Sequence, residues 1–276
     1  MKIGKTHFDI GARTFLVGIL NLTPDSFSDG GSYNSVEQAV NRAKQMVSDG
    51  ADIIEIGGES TRPGHVPVET TMELERVIPV LDALIPAIHV PISIDTRKAE
   101  VAEIVLSKGA AIINDTSRFK DDPGLARVCA KHGAVCCAMH SRDNMDYGDF
   151  LLDVIAELNE SVDILRSAGV TPDKIILDPG IGFAKNAEHN LEIMQNLSLF
   201  TALPYPIMLG TSRKRFIGHV LDLPVEERLE GTIATSVLGV QHHCAFIRVH
   251  DVKENKRAIM MADAIVRRGK HCRGDL

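Results

Sequence analysis

One local pattern occurs four times in the chain and restricts its fold more than any other feature of the sequence. In each copy an amphipathic helix ends in a glycine, a small residue follows, and a β-branched or apolar run begins; the copies read SDGADIIEIG, SKGAAIINDT, KHGAVCCAMH and, with a short insertion, SAGVTPDKIILDPG. Glycine adopts the left-handed conformation after a helix at low cost, so helix ends are predicted at Gly50, Gly109, Gly133 and Gly169. A buried strand is predicted after each.

Strands and helices alternate along the whole chain. We place eight strands, at residues 15–20, 53–57, 91–95, 112–114, 135–139, 175–178, 207–210 and 246–249. Nearly continuous apolar strands indicate a parallel sheet buried on both faces, and eight strand–helix units favour a closed (β/α)8 barrel over an open sheet. Because no linker divides the chain, residues 1–276 are expected to form one domain. HFDIGARTF, residues 7–15, is predicted to form a hairpin that covers the bottom of the barrel.

Composition narrows the class of function. The net charge of -7 and the lack of a long Lys/Arg cluster argue against nucleic acid or an anionic membrane as the main partner. No apolar run approaches the roughly 18 residues that span a bilayer, so a cytoplasmic protein is expected. The five cysteines include the adjacent pair Cys136 and Cys137 but no C-x-x-C, which is typical of neither a disulfide framework nor a zinc site. Motifs of serine hydrolases, zincins, nucleotide loops and dinucleotide folds are absent from the sequence.

Polar side chains occur where the apolar strands end. The set comprises Asn21, Asp95, Asn114, His140, Asp178, Ser212, Lys214, Arg248 and His250. Barrel enzymes build their active sites at this carboxyl-terminal edge. Each residue alone could be a helix cap or a solvated loop position. A shared ligand is the better explanation for the set, because buried carboxylates and amides need hydrogen-bond partners.

The chemistry of these groups predicts a ligand with two different ends. Carboxylates, an amide and an ammonium suit a flat heterocycle with adjacent donors and acceptors; they belong to Asp95, Asn114, Asp178 and Lys214. Cationic and amide groups suit a phosphate and its metal; they belong to Asn21, Arg62, Arg248 and His250. Glu55 lies in the middle of a strand, and a structural ion pair or hydrogen bond is as good an interpretation as catalysis.

Seven motifs together resemble one enzyme family. In chain order they read NLTPDSFSDGG, GGESTRPG, SIDT, INDTS, DPGIGF, GTSRKRFIG and IRVHDV, and they resemble the dihydropteroate synthases of bacterial folate synthesis across essentially the whole chain. The resemblance implies a TIM barrel that joins 7,8-dihydropterin-6-ylmethyl diphosphate to p-aminobenzoate and releases pyrophosphate, with Mg²⁺ as cofactor. It also implies a homodimer and small-molecule substrates.

The same resemblance implies a role for individual residues. Pterin contacts are expected from Asp95, Asn114, Met139, Asp178, Phe183, Lys214 and Arg248. Diphosphate contacts are expected from Asn21, Arg62, Arg248 and His250, and p-aminobenzoate contacts from Phe27, Thr61, Pro63 and Arg215. Metal binding is expected at Asn21 and Asp29. The residues expected to carry the catalysis are Arg62, Lys214, Arg248 and His250.

Two departures from the family and three rival functions remain open. Arg215 stands where some relatives carry serine, and the loop 141–150 lacks their Met-Gln-Gly segment, so its role is undetermined. A pterin-dependent methyltransferase, which passes a methyl group to a corrinoid, has a similar barrel, but NLTPDSFSDGG and GTSRKRFIG suit a diphosphate substrate better. A non-catalytic pterin-binding paralogue is the second rival. An aldolase-like barrel would need a Schiff-base lysine inside a strand, and Lys214 lies past the end of its strand.

Overall fold

Eight parallel strands form the barrel in a computed structural model that describes residues 1–22, 33–59 and 68–267. A two-stranded hairpin, β1 (Lys2–Ile3) and β2 (Thr6–His7), precedes them. The barrel strands are β3 (Phe15–Asn21), β4 (Ile53–Gly57), β5 (Ile92–Asp95), β6 (Ile112–Asp115), β7 (Val135–Met139), β8 (Ile175–Asp178), β9 (Met208–Leu209) and β10 (Phe246–Val249). Every predicted strand is confirmed, and no strand end differs from its prediction by more than one residue.

The order of the strands closes the sheet. Hydrogen bonds connect them in the order β8-β7-β6-β5-β4-β3-β10-β9. Each hydrogen-bonded pair consists of strands that are consecutive in the sequence, except that the last strand, β10, pairs with the first barrel strand, β3. An isolated parallel bridge between Leu177 and Ile207 joins β8 to the residue before β9. The predicted (β/α)8 barrel is therefore confirmed.

Ten α-helices surround the barrel in the described part of the chain: α1 (Tyr33–Ser48), α2 (Thr70–Leu84), α3 (Ala99–Lys108), α4 (Leu125–His132), α5 (Phe150–Ser167), α6 (Ala187–Gln195), α7 (Leu197–Thr201), α8 (Arg215–Leu221), α9 (Leu229–Gln241) and α10 (Val252–Val266). Gly50, Gly109, Gly133 and Gly169 have φ angles of +106°, +119°, +62° and +97°, so the predicted helix ends are confirmed. None of the described helices is both long enough and apolar enough to cross a bilayer.

The hairpin lies earlier in the sequence than expected. Its strands are β1 and β2, with Gly4 at φ +56° in the turn, whereas residues 7–15 form only one isolated bridge between Ile10 and Arg13. The predicted position was wrong because Phe8 and Phe15 pack edge to face, with ring centroids 4.8 Å apart, rather than pairing in a ladder. The expected cover is nevertheless present, since Ile3 and Phe8 are buried against the apolar residues at the amino-terminal end of the barrel.

Alternate residues of each strand enter two separate apolar clusters. Leu16, Ile54, Ile113 and others on that face pack under the helices. The opposite face fills the barrel with Phe15, Val17, Ile53, Ile112, Val135, Cys137, Ile176, Met208 and Phe246. Because side chains alternate along a strand, the next inward positions toward the carboxyl end belong to the polar residues that the sequence singled out.

Candidate active site

The strand register brings the predicted pterin residues together. Asn21 pairs with Gly57, Gly57 with Asp95, and Asp95 with Asn114, which places these positions next to one another around the carboxyl end of the barrel. Met139 pairs with Asp178 on the far side of the ring. Asn21 and Asp178 are far apart in the sequence, yet each is the last residue of its strand, so both lie at the carboxyl-terminal end of the barrel.

Two buried oxygen atoms at this end of the barrel have no hydrogen-bond partner among the described residues. They are Oδ1 of Asp95 and Oδ1 of Asn114, on residues that are 5% and 4% exposed. A buried acceptor without a partner costs roughly 1–3 kcal/mol. Burial, and next the negative charge of Glu55, raise the pKa of Asp95 to about 8. The carboxyl group is therefore largely protonated at neutral pH, and it can donate a hydrogen bond as well as accept one.

Asp178 faces an opening created by a glycine. Its Oδ1 accepts a hydrogen bond from the backbone N of Gly180 at 2.7 Å. A Cβ atom at Gly210 would lie 3.6 Å from Oδ2 of Asp178 and 3.7 Å from Cδ of Arg248, so the missing side chain leaves room between the carboxylate and the guanidinium. Burial raises the pKa of Asp178, although the nearby charge of Lys214 acts in the opposite direction. Gly210 is not among the predicted site residues, and its only signal in the sequence is a glycine at the end of a predicted strand.

Arg248 is held by two carboxyl groups inside the barrel. Its Nη2 lies 2.5 Å from Oε1 of Glu55 and 3.5 Å from Oδ2 of Asp95. Ser93 Oγ donates to the other oxygen of Glu55 at 3.2 Å. The structure thus shows the ion pair that was one of the two interpretations of Glu55, and this pair orients the guanidinium.

Lys214 contacts the loop that follows β8. Its Nζ donates to the carbonyl oxygen of Ile181 and lies 4.9 Å from the ring centroid of Phe183. Burial lowers the pKa of Lys214 to about 8, so the amine still carries its charge at neutral pH. Phe183 and Lys214, which are both predicted pterin contacts, therefore lie next to each other.

His250 is oriented by a serine. Oγ of Ser212 lies 2.9 Å from Nδ1 of His250 and accepts a hydrogen bond from its backbone N at 3.2 Å. The hydroxyl group can satisfy both contacts, because it has two acceptor lone pairs and one hydrogen to donate. Ser212 and His250 thus bring the ends of β9 and β10 together at the same rim as Arg248.

The structure gives less information about the remaining predicted residues. Arg215 is the first residue of α8 and its side chain is exposed. Phe27, Asp29, Thr61, Arg62 and Pro63 lie outside the described residues. Their assignments to p-aminobenzoate, diphosphate and metal stay predictions.

The described donors fit a magnesium ion that is also bound by phosphate. Asn21 is half-buried at the end of β3 and offers one amide oxygen, and no group of three or more His, Cys, Asp or Glu side chains that could hold a metal occurs in the described ranges. Mg²⁺ typically takes only one or two protein oxygens and completes its shell with water and substrate phosphates. The chemistry of Asn21 agrees with that mode of binding.

The chain is similar throughout its length to one group of proteins. The family described as "Pterin binding enzyme" matches residues 17–250. A dihydropteroate synthase of Clostridium beijerinckii is 53% identical over 269 residues, which cover 97% of this chain and 100% of that protein. A dihydropteroate synthase of Clostridium difficile, solved in the presence of pteroic acid, superposes with a TM-score of 0.93 at 49% identity and covers 95% of this chain and 100% of that chain. The enzyme of Xanthomonas albilineans, solved with 4-aminobenzoic acid, has a TM-score of 0.88 at 36% identity and covers 92% of this chain and 93% of that chain.

Proposed function

The chain belongs to the pterin-binding enzymes and, within them, to the dihydropteroate synthases, a family of transferases, and we propose that the rim of its barrel carries the substrate sites of that reaction. One observation carries the proposal more than any other. The buried and unpartnered acceptors of Asp95 and Asn114 lie at the same end of the barrel as Asp178 and Lys214. Buried polar groups without partners cost free energy, and a heterocycle with adjacent donors and acceptors would supply the missing hydrogen bonds.

The pterin ring is proposed to bind edge-on inside the barrel. Its 2-amino and N3–H groups present two parallel donors, which suit the carboxylate of Asp178, and its 4-oxo group suits the ammonium of Lys214. Each hydrogen bond to a charged partner contributes roughly 1.5–3 kcal/mol. Asp95, Asn114, Met139 and Phe183 complete the proposed contacts. The Clostridium difficile enzyme was solved in the presence of pteroic acid, which contains a pterin ring, and this supports the assignment.

The diphosphate is proposed to bind on the side of Asn21, Arg248 and His250. Arg248 presents a guanidinium whose position is fixed by Glu55, and His250 is fixed by Ser212. Arg62, from the segment outside the described residues, is proposed to add a second guanidinium. Charge-assisted hydrogen bonds of this kind are the usual means of binding phosphate.

The p-aminobenzoate site is proposed to lie above the diphosphate, formed by Phe27, Thr61, Pro63 and Arg215. The complex of the Xanthomonas albilineans enzyme with 4-aminobenzoic acid supports a site for this acid in the family. The exposed guanidinium of Arg215 is a suitable partner for its carboxylate.

Mg²⁺ is proposed as the cofactor, with Asn21 and Asp29 as its protein ligands. When bound, the ion would neutralise charge on the departing diphosphate. The donor chemistry of Asn21 supports this cofactor, and the role of Asp29 rests on the sequence motif alone.

The proposed reaction is a dissociative substitution. The carbon–oxygen bond to diphosphate breaks, the electron-rich dihydropterin delocalises the positive charge, and the arylamine nitrogen forms the new carbon–nitrogen bond and then loses a proton to solvent. Arylamines are neutral nucleophiles, so the chain needs no general base. Its residues act by positioning both substrates and by stabilising the departing anion with Arg62, Lys214, Arg248 and His250.

A homodimer is proposed for the assembled enzyme. Large apolar side chains are exposed on α8, α9 and α10, among them Val220, Leu238, Met260, Met261 and Ile265. Exposed apolar side chains of this size on adjacent helices are common at interfaces between subunits. Sedimentation of the wild-type chain beside a Met260→Glu/Met261→Glu variant tests the proposal, and a wild-type monomer would contradict it.

A single pterin-binding domain and a cytoplasmic location complete the proposal. One continuous barrel sheet supports the single domain. Four described cysteines, Cys129, Cys136, Cys137 and Cys244, are buried free thiols, which suits a reducing compartment.

The decisive experiment is reconstitution. The purified chain is mixed with 7,8-dihydropterin-6-ylmethyl diphosphate, p-aminobenzoate and Mg²⁺, and dihydropteroate and pyrophosphate are quantified, with each component omitted in turn. Equal amounts of both products are expected only in the complete mixture. Tight pterin binding without product would instead support a non-catalytic paralogue, and methyl transfer from a methylated pterin to a corrinoid would support the methyltransferase.

A further inference from the structure

Lys185 is a buried lysine whose contacts within the described residues are neutral. It is 8% exposed, its Nζ donates to the carbonyl oxygen of Phe183 at 2.9 Å, and the same atom lies 2.7 Å from Nδ1 of His140. Burial, and next the charge of Lys214, lower the pKa of Lys185 to about 7. The charges of Asp178 and Glu157 act in the opposite direction, but neither carboxylate forms an ion pair with Lys185 in the described part of the chain. What it supplies is a pair of directed hydrogen bonds.

These hydrogen bonds join two loops. Lys185 belongs to the loop 179–186 between β8 and α6, and His140 directly follows β7. Three residues of the loop have left-handed backbone conformations, with φ of +69° at Gly180, +84° at Gly182 and +47° at Ala184. Ala184 is strained there because it has a Cβ, so the loop needs fixed contacts to keep this path.

His140 is a firm anchor for the loop. Its backbone N donates to the carbonyl oxygen of Asp178 at 2.9 Å, and its ring is buried with Nε2 3.1 Å from Oε2 of Glu157 on α5, a contact that is not a hydrogen bond. Arg142 Nε lies 2.9 Å from the other oxygen of Glu157. Burial lowers the pKa of His140 to about 2, so the ring is neutral and Nδ1 accepts the hydrogen bond from Lys185.

The loop in turn fixes the amine of the proposed pterin site. Lys214 Nζ donates to the carbonyl oxygen of Ile181, and the ring of Phe183 lies 4.9 Å from the same atom. Lys185 Nζ donates to the carbonyl oxygen of Phe183 in the same loop. A displacement of the loop would therefore move two of the groups that set the position of Lys214.

We propose that Lys185 is a positioning residue for this reaction: by tying the carbonyl of Phe183 to His140, it holds the loop 179–186 in the path that places Lys214 against the pterin. The inference rests on the proposed pterin site, in which Lys214 contacts the 4-oxo group. Lys185 itself does not touch the substrate.

The test compares three variants of the full chain. Lys185→Met keeps the aliphatic stem and removes both hydrogen bonds. Lys185→Gln keeps a shorter donor for the carbonyl of Phe183. Lys174→Met is the matched control, because Lys174 also donates to a backbone carbonyl, that of Lys2 at 2.7 Å, near the opposite end of the barrel.

Binding and kinetics are measured separately. Titration calorimetry with 7,8-dihydropterin-6-ylmethyl diphosphate, without p-aminobenzoate, gives pterin affinity, and thermal unfolding gives stability. For Lys185→Met we expect a Kd about ten-fold higher with a stoichiometry near that of the wild type, and an unchanged KM for p-aminobenzoate. For Lys185→Gln we expect a smaller loss, and for Lys174→Met the wild-type Kd.

A second comparison asks whether the effect passes through Lys214. In the Lys214→Met background, the added Lys185→Met change is expected to alter the Kd less than two-fold, since the group that it positions is gone. The proposal is overturned if the Kd of Lys185→Met equals that of the wild type, or if its effect is undiminished without Lys214. If neither Lys185 variant folds, Lys185 has a structural role, and the proposal is overturned in that case too. Calorimetry measures binding without turnover. An inactive wild-type chain would therefore count against the proposed function, while the Kd values of the variants could still be compared.

Discussion

Arg248 and Glu55, which are 193 residues apart in the sequence, form an ion pair in the interior of the barrel. Nη2 of the arginine lies 2.5 Å from Oε1 of the glutamate, and the glutamate is only 1% exposed. The same guanidinium group lies within 3.5 Å of Asp95. The pair thus connects a buried carboxylate to the open end of the barrel, where the proposed substrate binds.

Removing the charge of Glu55 is expected to destabilise the fold. Glu55→Gln leaves Arg248 without its main counter-ion, and the loss of one partner of a buried pair costs roughly 3 kcal/mol. Urea unfolding measures the change. Glu103→Gln is the control, because Glu103 pairs with Lys131 at the surface and such a pair contributes less than about 1 kcal/mol. Equal losses in the two variants would contradict a structural role for the buried pair.

Asp178→Asn is expected to weaken pterin binding and to leave the fold intact. The amide keeps the size of the carboxylate but presents one donor where the pterin also donates, so the Kd should rise by roughly 30- to 1000-fold, or about 2–4 kcal/mol. Calorimetry with the pterin diphosphate checks this. Asp173→Asn, at an exposed carboxylate before β8, should bind as the wild type does. Near-native affinity in Asp178→Asn would refute the assignment of this residue.

The raised pKa of Asp95 predicts a specific pH dependence of stability. The folded carboxyl has a pKa of about 8, against 3.8 ordinarily, so between these values the folded chain holds a proton that the unfolded chain has lost. The free energy of unfolding contributed by Asp95 therefore falls as pH rises through this window, by at most about 1.4 kcal/mol per pH unit.

Asp95→Asn removes this titration. The variant should gain stability relative to the wild type as pH increases from 5 to 8, and urea unfolding at several pH values measures the difference. Other titrating groups are common to both proteins and largely cancel. A difference that stays constant across this range would show that the pKa of Asp95 is not raised.

A methyl group at Gly180 should disrupt the loop after β8. Its Cβ would lie 1.8 Å from the carbonyl oxygen of His140, and its φ is +69°. Gly133→Ala is a matched control, since Gly133 has φ +62° but its Cβ would meet no atom within 4 Å in the described part of the chain. The control should lose only the left-handed strain of about 1–2 kcal/mol.

Gly180→Ala should lose at least about 2 kcal/mol more than Gly133→Ala, because the backbone must move to relieve the collision. Thermal or urea unfolding of the two variants decides the comparison. Pterin affinity should also fall in Gly180→Ala alone. Similar stability in both variants would mean that the loop relaxes freely, contrary to its packing against His140.

The sequence predicted the barrel well because the relevant signals are local. Glycine after a helix and an apolar run after glycine recur at a short range, and the strand limits followed from them to within one residue. The predicted hairpin was misplaced because the path of residues 7–15 depends on the contact between Phe8 and Phe15 in the interior. No local pattern in the sequence specifies that contact.

The candidate site was predicted in part. Asp95 and Asp178 end their strands and Asn114 is the last residue but one of its strand, so their position at the carboxyl-terminal end of the barrel follows from the parallel arrangement of the strands. The ion pair of Glu55 with Arg248 and the contacts of Lys185 could not be predicted, because each joins elements that are distant in sequence or depends on the path of a loop. The strand position of Glu55 allowed only the choice between an ion pair and catalysis.

The hairpin at the start of the chain affects how substrates enter and leave the barrel. Within the described part of the chain, Ile3 and Phe8 are buried against the interior of the barrel at its amino-terminal end, so small molecules are expected to reach the interior from the opposite end. A compound that lies deeper must then arrive before one that lies above it, and it must depart later. For two reactants stacked along the barrel axis, the order of arrival is set by geometry rather than by relative affinity.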